Sequence, residues 1–113
     1  MHEMAICESI LQTLQQEAAA QGFSVVRKVR LEIGPFSGVE VDALKFGFDV
    51  VTKGSLATDA ALEIIETKGT AWCLPCAASI TIKNRYDPCP TCNSHQLQIT
   101  GGEELRIKEL EVD

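Results

Sequence analysis

From Glu3 to about Ala20, Ile6, Ile10, Leu11, Leu14 and Ala18 recur at helical spacing, with Glu8, Gln12, Gln15 and Gln16 on the other side. The pattern predicts a surface helix ending near Gln21, favoured by Ala18-Ala19-Ala20 and capped by Gly22. From Val25 to Ile33 the period changes to two. Val29, Leu31 and Ile33 alternate with Lys28, Arg30 and Glu32, the mark of a strand with one buried face, and Gly34-Pro35 ends it. After the loop Gly34–Gly38, residues Val41, Leu44, Phe48 and Val51 return to helical spacing, predicting a second helix over about Glu40–Val51. Gly47 lies inside it, a residue that costs about 1 kcal/mol in a helix relative to Ala unless close packing requires it.

Beyond Lys53-Gly54-Ser55, the residues Leu62, Ile64 and Ile65 predict a second strand running towards Trp72. Leu97–Thr100 is a short strand candidate, and Gly101-Gly102 reads as a hinge. In the last segment Leu105, Ile107, Leu110 and Val112 slip by one at Lys108-Glu109, where a β-bulge would keep all of them on one face. So apolar a terminal strand needs a core. The expectation is that it returns to the N-terminal sheet, which makes the intervening chain an insertion. The predicted fold class is α+β: a small mixed sheet of about three strands with two helices, plus an inserted zinc-ribbon-like module. Residues 1–69 with 103–113 form one expected domain and residues 70–102 the other.

The inserted segment holds four of the five cysteines, as Cys73-Leu-Pro-Cys76 and Cys89-Pro-Thr-Cys92 with 12 residues between the pairs. Each C-x-x-C turn aims two sulfurs at one point, and Pro75 and Pro90 stiffen the turns. Facing knuckles supply the closed four-thiolate shell of a structural zinc site. A module of about thirty residues with few bulky apolar groups beyond Trp72, Ile80, Ile82 and Tyr86 needs such a staple. Structural zinc contributes on the order of 10–16 kcal/mol, more than a typical domain's net stability. Three other uses of the cysteines compete with this one. Disulfides would close strained C-x-x-C rings in a chain with no secretory signal. A thioredoxin-type site, which Trp72-Cys73-Leu74-Pro75-Cys76 imitates, would need a βαβ unit and a later cis-Pro loop. A rubredoxin-like iron centre usually has a longer gap between knuckles and more aromatic cover.

Charge narrows the choice further. The chain has 113 residues and a formal net charge of −6, from 16 acidic and 10 basic residues. A nucleic-acid-binding ribbon needs a basic face, yet Lys83 and Arg85 are the only cations between Cys73 and Cys92. An acidic surface suits protein partners or cations. The N-terminus has no basic region followed by an apolar core, so the expected location is cytoplasmic, with neither membrane nor nucleic acid as partner. No nucleophile, acid and base set points to an enzyme.

His2 sits beside the terminal amine. Imidazole, amine and deprotonatable backbone amides make one nitrogen-rich chelating unit of the kind that suits Ni(II) or Cu(II). A terminal histidine without a role is the competing reading. Met1 is expected to persist, because a residue as large as His2 normally blocks its removal.

Taken together, Met1-His2-Glu3, Leu31-Glu32-Ile33-Gly34 with Phe36-Ser37-Gly38-Val39-Glu40, Phe46–Val51, the two cysteine pairs and the Leu105–Glu111 ending resemble the HypA/HybF family of nickel-insertion proteins. The resemblance covers essentially the whole chain. It implies a metallochaperone that helps load nickel into [NiFe]-hydrogenase precursor, the large subunit, working with a HypB-type GTPase and in some organisms with urease maturation proteins. It further implies Ni2+ as transient cargo with His2 as ligand and Glu3 shaping the site, and structural Zn2+ on Cys73, Cys76, Cys89 and Cys92. Glu40 lies where the family often has a carboxylate, and it reads equally as an acid favoured at a helix N-terminus. His95 follows the second knuckle, where family members often carry a histidine, and Cys7 reads as a small apolar residue. The alternative class is a zinc-ribbon protein-interaction adaptor with no nickel role.

Overall fold

The computed structural model describes residues 3–113. In chain order the elements are α1 (Glu3–Gln21), β1 (Val26–Ile33), α2 (Val41–Thr52), β2 (Ala61–Glu66), β3 (Gly69–Cys73), β4 (Ala78–Ile82), β5 (Leu97–Gly101) and β6 (Leu105–Val112). They form two three-stranded sheets, ordered β2-β1-β6 and β4-β3-β5. The chain divides into two compact units. The first holds the described residues up to Leu31, with Val39–Ile64 and Ile107–Asp113; the second holds Glu32–Gly38 and Ile65–Arg106. The second unit thus takes in residues 32–38, 65–69 and 103–106 besides the expected 70–102.

In the first unit, Cys7, Ile10 and Leu14 of α1, Val26, Val29 and Leu31 of β1, and Leu44 and Phe48 of α2 are buried. Gly22 ends α1 as expected, with φ at +79° and its N–H donating to the Ala18 carbonyl at 2.8 Å. The helices meet where side chains are small. The Cys7 thiol donates to the Leu44 carbonyl at 3.3 Å, and a Cβ added to Gly47 would sit 3.2 Å from the Cys7 sulfur. Helix–helix contact therefore explains the glycine, and the cysteine serves as a small core residue.

As expected, β6 returns to lie beside β1. Lys108 and Glu109 are both exposed, so its burial pattern slips where the alternation does, while Val112 stays 40% exposed. On the solvent face of β1, Arg30 donates to Glu63 of β2 at 3.3 Å and to Glu109 and Glu111 of β6 at 2.8 and 3.3 Å. Each surface pair is worth at most about 1 kcal/mol, but one guanidinium here ties both outer strands to the central one.

The second unit has a sheet with two unlike faces. Ala71 and Ile82 are buried on the inner face, with Ile80, Leu97 and Ile99 packed against them, and the aromatic ring that completes this cluster is Phe36. That ring arrives from the loop between β1 and α2. A Cβ on Gly69 or Gly102 would strike it, so both glycines are required by close approach. The Arg85 guanidinium lies 5.4 Å from the ring centroid and donates to the Phe36 carbonyl at 3.1 Å and to Glu103 at 2.7 Å. Phe36 in turn donates its N–H to the Gly102 carbonyl at 2.6 Å.

Three expectations change here. The run predicted from Leu62 towards Trp72 breaks at Thr67-Lys68, where the Thr67 N–H turns to the Ile33 carbonyl and its hydroxyl to Glu104. Gly101-Gly102 is not a free hinge. Gly101 belongs to β5, and Gly102, at φ +111°, is packed under Phe36. Trp72 and Tyr86, two of the few bulky groups of this segment, are exposed at 38% and 85%, so neither makes the core. Ser79-Ile80-Thr81-Ile82 alternates plainly but forms a strand, β4, that the cysteine spacing overshadowed.

Replacing Phe36 by Ala should cost about 3–5 kcal/mol and leave the β3–β5 sheet without a centre. Denaturation of the zinc-loaded protein, with proteolysis mapped to residues 69–101, measures this. Glu104 accepts the Gly102 N–H at 3.0 and 3.1 Å and the Thr67 hydroxyl at 2.8 Å. These donors, Gly102 first, hold its carboxyl below the ordinary 4.5. The depressed carboxyl contributes stability above pH about 4.5 and loses it as pH falls through the folded value. The stability gap between wild type and Glu104→Gln should therefore be widest near neutral pH and shrink on acidification.

Candidate metal centre

Two tight turns build the centre. Strand β3 delivers Cys73 at its last residue, and the chain reverses through Leu74–Ala77, with the Ala77 N–H donating to the Leu74 carbonyl at 3.3 Å. In the second knuckle the Cys89 N–H donates to the Ser94 carbonyl, and Asn93 donates back to the Cys89 carbonyl, both at 2.8 Å. The residue after each closing cysteine is left-handed: Ala77 at φ +49° and Asn93 at φ +63°. Asn tolerates that region, whereas Ala there is strained by roughly 1–2 kcal/mol, a cost the surrounding knuckle has to offset.

The four sulfurs of Cys73, Cys76, Cys89 and Cys92 lie within 4.8 Å of one another. Cys73 and Cys92 are 3.5 Å apart, and Cys76 and Cys89 are 3.9 Å apart. A tetrahedron with zinc–sulfur bonds of about 2.3 Å has sulfur–sulfur edges of about 3.8 Å, so the donor set fits zinc. A disulfide needs about 2.05 Å, and all five cysteines are free thiols. Cys73 ends an antiparallel strand and opens no helix, which removes the thioredoxin context.

Backbone hydrogen bonds prepare one sulfur for ionisation. The N–H groups of Cys92 and Thr91 lower the Cys89 thiol to about 6, the latter at 3.4 Å. Hydrogen bonds shared with Cys92 and Cys73 push Cys76 up to about 12. Four thiolates repel one another unless a dication sits among them, which is why a metal completes this arrangement.

The other candidate residues lie elsewhere. His2 falls outside the described residues. Glu3 opens α1, and its carboxylate accepts the Glu40 N–H at 3.2 Å. Glu40 is the N-cap of α2 and accepts the Asp42 N–H at 3.3 Å, so the two acids meet at one helix start. His95 is exposed beyond the second knuckle, and Cys7 is buried among apolar groups. Sequence reasoning missed Ala77 and Asn93. An Asn directly after a closing Cys was a readable signal for the second turn, and nothing marked the first.

Purified, reduced protein should carry about one zinc per chain, and Cys89→Ser should lower this to near zero. Elemental analysis by mass spectrometry checks both.

Comparison with known proteins places this centre in context. A family model described as "Hydrogenase/urease nickel incorporation, metallochaperone, hypA" matches residues 1–112. Hydrogenase maturation factor HypA of Azotobacter vinelandii is 58% identical over 113 residues, covering all of both chains. Hydrogenase maturation factor HypA 2 of Bradyrhizobium diazoefficiens is 53% identical with the same coverage. The solution structure of the Ni metallochaperone HypA from Helicobacter pylori matches with a TM-score of 0.69 at 25% identity, over 99% of this chain and 97% of that one. A second, titled "Solution structure of HypA protein", has a TM-score of 0.72 at 26% identity, covering 99% and 96%. The chain belongs to the HypA family of hydrogenase and urease nickel-incorporation metallochaperones, and its four-cysteine cluster fits a structural zinc site.

Proposed function

We propose that this protein binds Ni2+ at its N-terminus, through His2 with the adjoining amine and amides, and passes it to the large-subunit precursor of a [NiFe]-hydrogenase. The observation that carries the reading is the Met1-His2-Glu3 start in a chain that belongs to the nickel-incorporation family over nearly its whole length. Nitrogen donors in one short chelating unit favour Ni(II). Glu3 supports the site from the side. Its carboxylate is already oriented by the Glu40 N–H, so Glu40 acts on nickel by holding Glu3 in place. Zinc is the resident metal and nickel the cargo.

The partners that fit are a HypB-type GTPase, which would supply nucleotide hydrolysis, and, where urease is made, its maturation proteins. No helix among the described residues is long and apolar enough to cross a membrane. The compartment we propose is the cytoplasm, where the cysteines stay reduced for zinc.

Calorimetric nickel titration of zinc-loaded protein tests the assignment. His2→Ala should weaken nickel binding by roughly tenfold or more, Glu3→Gln by less, and neither should alter zinc content. Unchanged affinity in His2→Ala would leave the zinc-ribbon adaptor as the better reading.

A further inference from the structure

The inner face of the β4-β3-β5 sheet is occupied by Phe36 and its neighbours, and the outer face has no covering element among the described residues. Strand register fixes what that face presents. Trp72 lies across from Ser79 on one side and Gln98 on the other, and Thr70 across from Thr81. The Thr100 hydroxyl donates to that of Thr70 at 3.0 Å. The strand face therefore carries one exposed tryptophan among uncharged hydroxyl and amide groups, in a chain of net charge −6.

The two ends of the face differ. At the knuckle end, Trp72 and Leu74 are 38% and 51% exposed and are two residues apart on β3 and the turn that follows. At the other end, Lys68 and Lys83 are both exposed, each one position beyond the Gly69–Ile82 pair that ends the β3–β4 ladder. The arginines of this unit are committed, Arg85 to Glu103 and Arg106 to Glu32. Among the described residues no carboxylate pairs with Lys68 or Lys83. Two exposed ammonium groups without a carboxylate partner, at one end of the β3–β4 pair, favour a ligand that brings negative charge.

We infer that this face docks an extended acidic segment of a partner protein, with an Asp or Glu side chain between Lys68 and Lys83 and an apolar side chain on Trp72 and Leu74. From Lys68 to Trp72 is about 13 Å along the strand, the reach of about four extended residues. An exposed tryptophan ringed by small polar groups is the composition of a binding hot spot. Charge complementarity selects the occupant. Two lysines match one or two carboxylates, whereas a single-stranded nucleic acid stacking on Trp72 would bring a run of phosphates towards an acidic chain. The inference does not depend on where nickel binds.

The test is selection of a displayed library of randomised hexapeptides on the zinc-loaded full chain, followed by titration of the enriched peptides. The protein's single tryptophan makes intrinsic emission a direct reporter of this face. The expected peptides carry an Asp or Glu about four residues from an aliphatic or aromatic one. They should shift Trp72 emission to the blue and bind the Lys68→Glu/Lys83→Glu double variant roughly tenfold or more weakly, at unchanged zinc content. Failure to enrich any set, enrichment without acidic residues, or equal binding to the double variant overturns the inference. So does an oligothymidylate that perturbs Trp72 at concentrations where the selected peptides do not.

Discussion

Everything in the second unit depends on supplying a centre to a sheet that lacks one. Three strands of five residues each bury only Ala71, Cys73 and Ile82 well among their larger groups, too little to offset the entropy of ordering the segment. Two devices make up the deficit. At one end four sulfurs converge to the spacing of a zinc tetrahedron. At the other, Phe36 enters from far away in sequence and is held by Arg85 through its ring face and its carbonyl. Gly69 and Gly102 exist as glycines because the ring lies where their side chains would be.

The loop that carries Phe36 runs on towards the second helix. It leads directly into Glu40, which caps α2 and donates its N–H to Glu3, one residue from His2. Zinc here is a staple, and the first unit carries its own core of Leu14, Val29, Leu31, Leu44 and Phe48.

Much of this was legible in sequence where the controlling interactions are local. The helical period and Gly22 marked α1 to within a residue, the alternation of Val29, Leu31 and Ile33 marked β1, and the paired cysteines announced the metal centre. The slip at Lys108-Glu109 was readable because alternation is a property of neighbours. What was hidden depends on distant partners. Gly34–Gly38 reads as a loop, and nothing local says that its phenylalanine completes a core built from residues 71–99. Gly47 reads as a liability until the Cys7 sulfur is found against it, and Gly102 reads as a hinge until Phe36 is found beneath it. Trp72 misleads in the opposite direction, since a large aromatic beside a cysteine invites a place in the core and instead faces outward.

On the proposed function, one chain holds two metals by different chemistry, four sulfurs for the resident ion and nitrogen-rich terminal donors for the cargo. X-ray absorption at the zinc and nickel edges of a single doubly loaded sample tests it most directly. Zinc should be surrounded by four sulfurs at about 2.3 Å and nickel by nitrogen and oxygen alone. Sulfur in the nickel shell, or a zinc shell short of four sulfurs, would contradict it.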